Sequence, residues 1–495
     1  MGKGYVIGAG PGDIGLITQK GYKLIEKADV VLYDRLVDKR ILEITPKKCE
    51  LIYVGKESTE GGESQEKINK IFVRKIKENK NVVRLHGGDP FLFGRGTEEI
   101  DELIKENLEF EVVPGISSSL AVPAYNGIPV TKRDISSSLH IFTARGNGGN
   151  LALDFHVLSQ IQGTIVILMG LSVLDKIIEG LIKEGVSKDR PISVIQEGTT
   201  YKQKSVEGTL ENIEKLVKEK EIKAPSIIVI GEIAKLHGKY DWFTKRKLFG
   251  ERILLTRDSK SFNKSSIIFE KEGAEVIDFS MIKLDTNYEK FDSFFFEEIE
   301  KADIISFNSP TCVESFYEGI SVLKKDFRVL GNKNVVCIGS GTVDALKKYY
   351  IIPDFVPKEY SVKSLLKELK EKYGKNKNVL LLSSNIHNRD ENELSKEYEL
   401  NVKIKDIYTN SFKKYEKTEI EEKLKEKGYL IFLSSSAVES FYENIKDKNL
   451  NLEKLKIVSI GPMTSKTLKK HGFKISIEAK EYSLEGILEE IIKKH

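Results

Sequence analysis

The first 34 residues constrain the sheet this chain can build more than any other stretch. Tyr5-Val6-Ile7 is a short apolar run, and Gly8 to Gly15 is a loop rich in glycine. A helix is expected from about Thr18 to Lys27, and Ala28 to Asp34 is a second apolar run that ends on a carboxylate. Strand, loop, helix and strand in that order make a βαβ unit, whose crossover holds the two strands parallel. Gly10, Gly12 and Gly15 also satisfy the spacing G-x-G-x-x-G, with Asp34 about twenty residues on, as in a dinucleotide site. Two residues oppose that reading. Pro11 removes a backbone donor that a phosphate would use, and Asp13 puts a negative charge where a pyrophosphate would sit. A nicotinamide or flavin site is therefore the minor reading of this loop.

The stretch from Val82 to Glu99 repeats the theme with more detail. Val82-Val83 opens a strand that breaks at Gly87-Gly88-Asp89-Pro90, and a helix follows from about Thr97 with Glu98 and Glu99 in its first turn. Two adjacent glycines let backbone approach a ligand closely. Pro90 rules out a continuing central strand, and acidic residues suit a helix N-terminus. Open α/β sheets bind ligands at the carboxyl ends of their strands, where this loop falls. Asp34, beside Tyr33 and Arg35, would stand at another strand end, where a carboxylate can serve as a base. Lys56 closes a third candidate strand, Leu51 to Lys56.

A chain of 495 residues makes two to four domains the prior. Its 31% of charged residues nearly cancel to a net +4, too little to argue for a nucleic acid or a membrane surface. Cys49, Cys312 and Cys337 are far apart, so neither a metal site nor a disulfide framework follows. A reducing cytoplasm is the simple expectation. The first residues enter a strand at once, without the apolar core of a signal peptide, and no run is long enough to span a bilayer.

The next part of the chain continues the pattern of strand, loop and helix. Phe110 to Val113 reads as a strand, and Ser117 to Ser119 can cap a following helix. Pro123 to Arg133, with two prolines and a glycine, is expected as an irregular ordered loop lined by Lys132 and Arg133. Strands are expected at Leu139–Thr143, Thr164–Met169, Ile192–Ile195 and Ile227–Ile230. Residues 1–112 and 113–245 are thus expected as two α/β subdomains.

Taken in order, Gly8 to Asp13, Tyr33-Asp34-Arg35, Val54-Gly55-Lys56, Arg84 to Gly96, Val113-Pro114-Gly115, Pro123 to Arg133, Met169-Gly170 and Glu197-Gly198-Thr199 resemble uroporphyrinogen-III C-methyltransferase, of the tetrapyrrole methylase family. The resemblance implies S-adenosyl-L-methionine in the cleft between the two subdomains, and a homodimer formed through this half. It implies two methylations of uroporphyrinogen III, through precorrin-1 to precorrin-2, on a route to sirohaem or cobalamin. By position, Pro11, Gly87, Gly88, Asp89, Leu92, Ser117, Ser118, Met169 and Gly198 would contact the cofactor. Asp34 would accept a proton and Lys56 would donate one. Arg35, Arg95, Lys132 and Arg133 would hold substrate carboxylates. His86 departs from the lysine the family usually has before Gly87.

A boundary is expected near residue 246, and the part beyond it contains an internal repeat. Val313-Glu314-Ser315-Phe316-Tyr317 recurs as Val438-Glu439-Ser440-Phe441-Tyr442, and Lys358-Glu359-Tyr360-Ser361 recurs as Lys480-Glu481-Tyr482-Ser483. Two similar α/β lobes are expected, with serine turns that cap helices and present amide donors to anions. Leu255-Thr256-Arg257, Asn308-Ser309-Pro310, Ser434-Ser435-Ser436 and Ile460-Gly461-Pro462 resemble the pattern of uroporphyrinogen-III synthase. That resemblance implies two flavodoxin-like lobes, about 250–284 with 409–495 and 285–408, joined by a two-stranded connection. It implies cyclisation of hydroxymethylbilane with loss of water. Tyr408 would help the hydroxyl leave, and Arg257, Ser309, Ser435 and Thr464 would hold carboxylates. The alternative is a methylase of another corrin precursor fused to a bilobal domain that binds without catalysis.

Overall fold

The computed structural model describes residues 2–55, 65–146, 150–386 and 390–495. They form two units, Met1–Glu251 with Lys271–Glu275, and Arg252–Glu270 with Val276–His495. The chain is α/β, with four five-stranded sheets among the described residues.

In the first unit β1 (Lys3–Gly8), β2 (Val30–Tyr33), β3 (Glu50–Tyr53), β4 (Asn81–His86) and β5 (Phe110–Val113) form one sheet in the order β3-β2-β4-β1-β5. Every pairing in it is parallel. Alternation along the strands sorts the side chains to the two faces. Val6, Val30, Leu32 and Val82 pack with Phe72, Ile76 and Leu103 of helices Gln65–Lys77 and Gly96–Lys105. Ile7, Val31, Val83 and Leu85 pack on the opposite side with Ile25 of helix Gln19–Ile25. Because β1 stands between β4 and β5, the loops after these three strands open at one edge.

A second sheet in this unit takes β6 (Leu139–Thr143), β7 (Thr164–Leu168), β8 (Pro191–Gln196), β9 (Lys204–Thr209) and β10 (Ser226–Ile230) in the order β6-β7-β10-β8-β9. Only β6 and β7 pair parallel, and the remaining pairs are antiparallel. One expectation needs correction. Pro123 is not in a loop but in the last turn of helix Ser118–Tyr125. Proline costs a helix its bond to the carbonyl four residues back, and here tertiary burial of Ala121, Val122 and Pro123 outweighs that loss.

The second unit supplies β11 (Arg252–Leu255), β12 (Glu275–Asp278), β13 (Ile282–Thr286), β14 (Ile304–Phe307), β15 (Asn334–Cys337), β16 (Asn378–Ser384), β17 (Asn401–Phe412), β18 (Gly428–Phe432), β19 (Leu455–Ser459) and β20 (Ile475–Glu478). One sheet runs β12-β11-β18-β19-β20, which is 2-1-3-4-5 in that lobe's own strand count. The other runs β13-β17-β16-β14-β15. Its four parallel strands, β14 to β17, take the order 2-1-3-4, and antiparallel β13 occupies the edge beside β17. The ladder from Ile282↔Phe412 to Thr286↔Tyr408 carries both chain crossings between the lobes.

The repeat survives as packing. Phe316 and Phe441 are fully buried, on helices Pro310–Val322 and Ser435–Ile445. Phe316 meets Phe307, the last residue of β14, edge to face at 5.3 Å, and Phe441 meets Phe432, the last residue of β18, in the same way at 5.3 Å.

Candidate active sites

In the first unit the loops after β1, β4 and β5 are fastened to one another through glycines. Gly10 and Gly88 exchange backbone hydrogen bonds of 3.3 and 2.7 Å. A Cβ on Gly8 would lie 2.6 Å from the Gly88 carbonyl oxygen. A Cβ on Gly115 would lie 2.7 Å from the Gly8 Cα. Only glycine admits backbones this close. Asp89 reinforces the junction: its Oδ1 accepts from the Phe91 N–H at 2.8 Å and its Oδ2 from the Gly115 N–H at 3.0 Å. Ser117 caps helix Ser118–Tyr125 by accepting from the Ser119 N–H.

The second sheet closes on the same junction. A Cβ on Gly12 would lie 2.8 Å from Thr200 Cγ2. The Asp13 N–H donates to Thr199 Oγ1 at 3.1 Å, and the Tyr125 hydroxyl donates to Asp13 Oδ2 at 2.8 Å. Burial, with Asp13 next, pushes the Tyr125 phenol above its ordinary range, so it stays a donor. Leu168 and Ile195 both register with Ile227, so Met169 and Gly198 follow strands whose ends flank one edge. Met169 itself takes a left-handed φ of 56° and is exposed.

The structure thus gathers Pro11, Gly87, Gly88, Asp89, Ser117, Ser118 and Gly198 around one junction. Leu92 sits half-buried between exposed Phe91 and Phe93. The glycines let these loops pack directly on one another, so that exposed backbone of several strand ends meets at one place. Asp34 stands at the end of β2, and its Oδ1 accepts from the Leu36 N–H at 3.0 Å. Lys56 lies outside the described residues. Arg35 and Arg133 are exposed, and Lys132 is half-buried on the wall of a cavity of about 370 Å³ with Tyr240 and Trp242. Arg95 grips Glu98 with two bonds of 2.7 and 2.6 Å at the surface.

Three ionisable residues that the linear sequence does not connect, Arg84, His86 and Glu99, lie behind Asp34. Arg84 Nη2 donates to Asp34 Oδ2 at 3.2 Å, and its Nε donates to Glu99 Oε1 at 3.0 Å. His86 Nε2 lies 2.8 Å from Glu99 Oε2. Burial would raise the Glu99 carboxyl, but His86 and Arg84 outweigh it and hold it below the ordinary carboxylate range. An arginine and a histidine inside an apolar strand, Val82-Val83-Arg84-Leu85-His86, were the available signal.

In the second unit the serine turns fall where the strand order reverses, the place where open α/β sheets bind ligands. In one lobe that point lies between β14 and β16. Ser309 caps helix Pro310–Val322 by accepting from the Cys312 N–H at 3.1 Å, and its Oγ lies 3.2 Å from the Tyr408 hydroxyl. Burial raises the Tyr408 phenol, although Ser309 works against it. In the other lobe the point lies between β11 and β18. Arg257 follows β11 there, partly exposed, with its Nε 3.7 Å from Asp258.

The cap of helix Ser435–Ile445 is Ser434, which accepts from the Ala437 N–H at 3.2 Å. Ser435 instead donates across to the Met463 carbonyl at 3.3 Å, beside buried Thr464 in helix Pro462–Lys470. Within the repeat, Ser434 is therefore the counterpart of Ser309, and Ser435 of Pro310. Tyr408 and Ser309 are brought together. Ser435, Thr464 and Arg257 belong to the other lobe.

Residues 3–214 match the family model of tetrapyrrole (corrin/porphyrin) methylases, and residues 264–489 match that of uroporphyrinogen-III synthase HemD. The porphyrin biosynthesis protein HemD of Ruminiclostridium josui is 36% identical over 504 residues, spanning 100% of this chain and 98% of that protein. The S-adenosyl-L-methionine-dependent uroporphyrinogen III methyltransferase of Methanosarcina barkeri is 47% identical over 48% of this chain and 93% of its own length. The uroporphyrinogen-III C-methyltransferase of Bacillus subtilis is 36% identical over 71% of this chain and 73% of its own length. The chain belongs to the family in which a tetrapyrrole methylase and a uroporphyrinogen-III synthase are joined in one polypeptide.

Proposed function

We propose that the protein makes uroporphyrinogen III from hydroxymethylbilane in its C-terminal half and methylates it twice in its N-terminal half, through precorrin-1 to precorrin-2. The enzyme is an S-adenosyl-L-methionine-dependent uroporphyrinogen-III C-methyltransferase and a uroporphyrinogen-III synthase, and it serves porphyrin and sirohaem biosynthesis. The observation that carries the reading is the glycine junction of β1, β4 and β5, closed by the loop at Thr199.

When bound there, S-adenosyl-L-methionine supplies an electrophilic methyl group. The backbone of Gly87, Gly88 and Gly198, with Pro11, Leu92, Ser117, Ser118 and Met169, forms its bed. Asp89 keeps that bed in shape, since both its oxygens are committed to backbone. The Asp34 carboxylate accepts the proton that leaves the macrocycle after methylation, and Lys56 is the proposed donor. Arg35, Lys132 and Arg133 hold the substrate's carboxylates. Arg95 can join them, because an exposed ion pair such as Arg95–Glu98 is worth little and exchanges readily.

In the synthase half the half-buried Tyr408 stays a neutral phenol and donates to the departing hydroxyl, while Ser309 orients it. Helix amides at Ser309 and Ser435, with Thr464 and Arg257, hold propionate and acetate groups. We place the enzyme in the cytoplasm, as a homodimer through the methylase half.

The test is one incubation of purified protein with hydroxymethylbilane and S-adenosyl-L-methionine, followed by absorbance and mass. A dimethylated product is expected. Uroporphyrinogen III left unmethylated would overturn the N-terminal reading, and uroporphyrinogen I alone would overturn the C-terminal one.

A further inference from the structure

Arg84, Glu99 and His86 lie beneath the floor of the methylase site, and the reaction as written uses none of them. They are 5%, 1% and 3% exposed. Burying three ionisable groups together is costly unless each is paired and hydrogen-bonded. Here they are. Glu99 accepts from Arg84 on one oxygen and meets His86 on the other. Gln65 Nε2 adds a third bond at 3.2 Å, and the Arg84 guanidinium also donates to the Leu85 carbonyl. The one member of the chain that reaches solvent is Asp34, whose side chain is 25% exposed.

We infer that Arg84, Glu99 and His86 are positioning residues that hold the Asp34 carboxylate in one orientation and balance its charge. The inference rests on the reading of Asp34 as the proton acceptor. Asp34 has two oxygens, and its Oδ1 is held by the Leu36 N–H. Arg84 holds Oδ2, so the carboxylate cannot rotate without losing a charge-assisted bond. Glu99 accepts from the Nε of the same guanidinium and so fixes the plane in which Arg84 reaches Asp34. His86 in turn fixes Glu99, which otherwise could turn away from Arg84. His86 stands where the family resemblance expects lysine, and either side chain can donate to Glu99, so the donor is kept while its shape changes.

The test supplies uroporphyrinogen III and S-adenosyl-L-methionine directly to the full chain. Asp34→Asn, Arg84→Met, Glu99→Gln, His86→Leu and His86→Lys are compared for kcat, KM and cofactor Kd. A misplaced catalytic group costs on the order of 100-fold in rate. Arg84→Met and Glu99→Gln should therefore lower kcat by roughly 10- to 100-fold, with KM and cofactor Kd within about twofold. His86→Lys should exceed His86→Leu by about tenfold, because the ammonium restores a donor to Glu99. If Asp34→Asn abolishes turnover while Arg84→Met and Glu99→Gln keep the wild-type kcat, the positioning chain is overturned and the base is not. Proportional losses in cofactor affinity would overturn it too, because they mark a structural role. Wild-type kcat in Asp34→Asn would overturn the base, and the inference with it.

Discussion

The hydroxyl of Tyr408 lies 3.2 Å from Oγ of Ser309, although the two residues are 99 positions apart. Tyr408 sits at the end of the β13–β17 ladder, and Ser309 caps the helix that follows β14. The pair joins a group suited to proton donation with a turn suited to binding anions. Tyr408→Phe removes the donor and keeps the ring. It should slow uroporphyrinogen III formation by roughly 10- to 100-fold, in line with the loss of one general acid, and leave methylation of supplied uroporphyrinogen III intact. Unaltered cyclisation kinetics would make the tyrosine structural.

The two serines of the second lobe separate stability from binding. Ser434→Ala removes a helix cap and should cost about 1 kcal/mol in denaturant unfolding of the second unit. Ser435→Ala removes only the bond to the Met463 carbonyl. It should stay within about 0.5 kcal/mol and raise KM for hydroxymethylbilane. Equal destabilisation by both would contradict the cap assignment.

Gly115→Ala puts a methyl group against the Gly88 carbonyl and Gly8 Cα. Both neighbours are backbone, so the loops must separate. Overpacking of this kind costs about 1–3 kcal/mol, and cofactor affinity should fall with it. Calorimetric titration with S-adenosyl-L-methionine reads the affinity, and a wild-type Kd would detach the junction from the cofactor.

Acid stability of the first unit should depend on Glu99. Its carboxyl is held below the ordinary value of 4.5 in the folded state. A depressed carboxyl contributes stability that is present above its unfolded pKa and is lost as pH falls through the folded one. Trp242, the single tryptophan, belongs to this unit and reports its unfolding. The wild type should exceed Glu99→Gln in urea midpoint at neutral pH, and the gap should narrow below about pH 4.5. A gap that does not change with pH would show that the charge of Glu99 does not matter.

Much of this protein can be read from its linear order. A β-branched run followed by glycines and a helix demands a parallel crossover wherever it occurs, because the constraint is local and steric. The glycine loops at Gly10 and Gly88, the serine turns at Ser309 and Ser434, and the repeat of Phe316 as Phe441 all belong to that class. Which of Ser434, Ser435 and Ser436 caps the helix is not legible in the sequence, because it depends on where the first turn begins, and the structure gives that role to Ser434. Pro123 lies in a helix because burial of its face overrides the backbone preference of proline.

What tertiary structure alone decided is which distant residues meet. Strand order β3-β2-β4-β1-β5 sets β2 beside β4, which brings Asp34 to Arg84 across 50 residues. The helix after β4 then turns Glu99 back beneath both Arg84 and His86. Neither spacing follows any local period. A buried charge is tolerated only where its partners converge, and convergence is a property of the packed sheet.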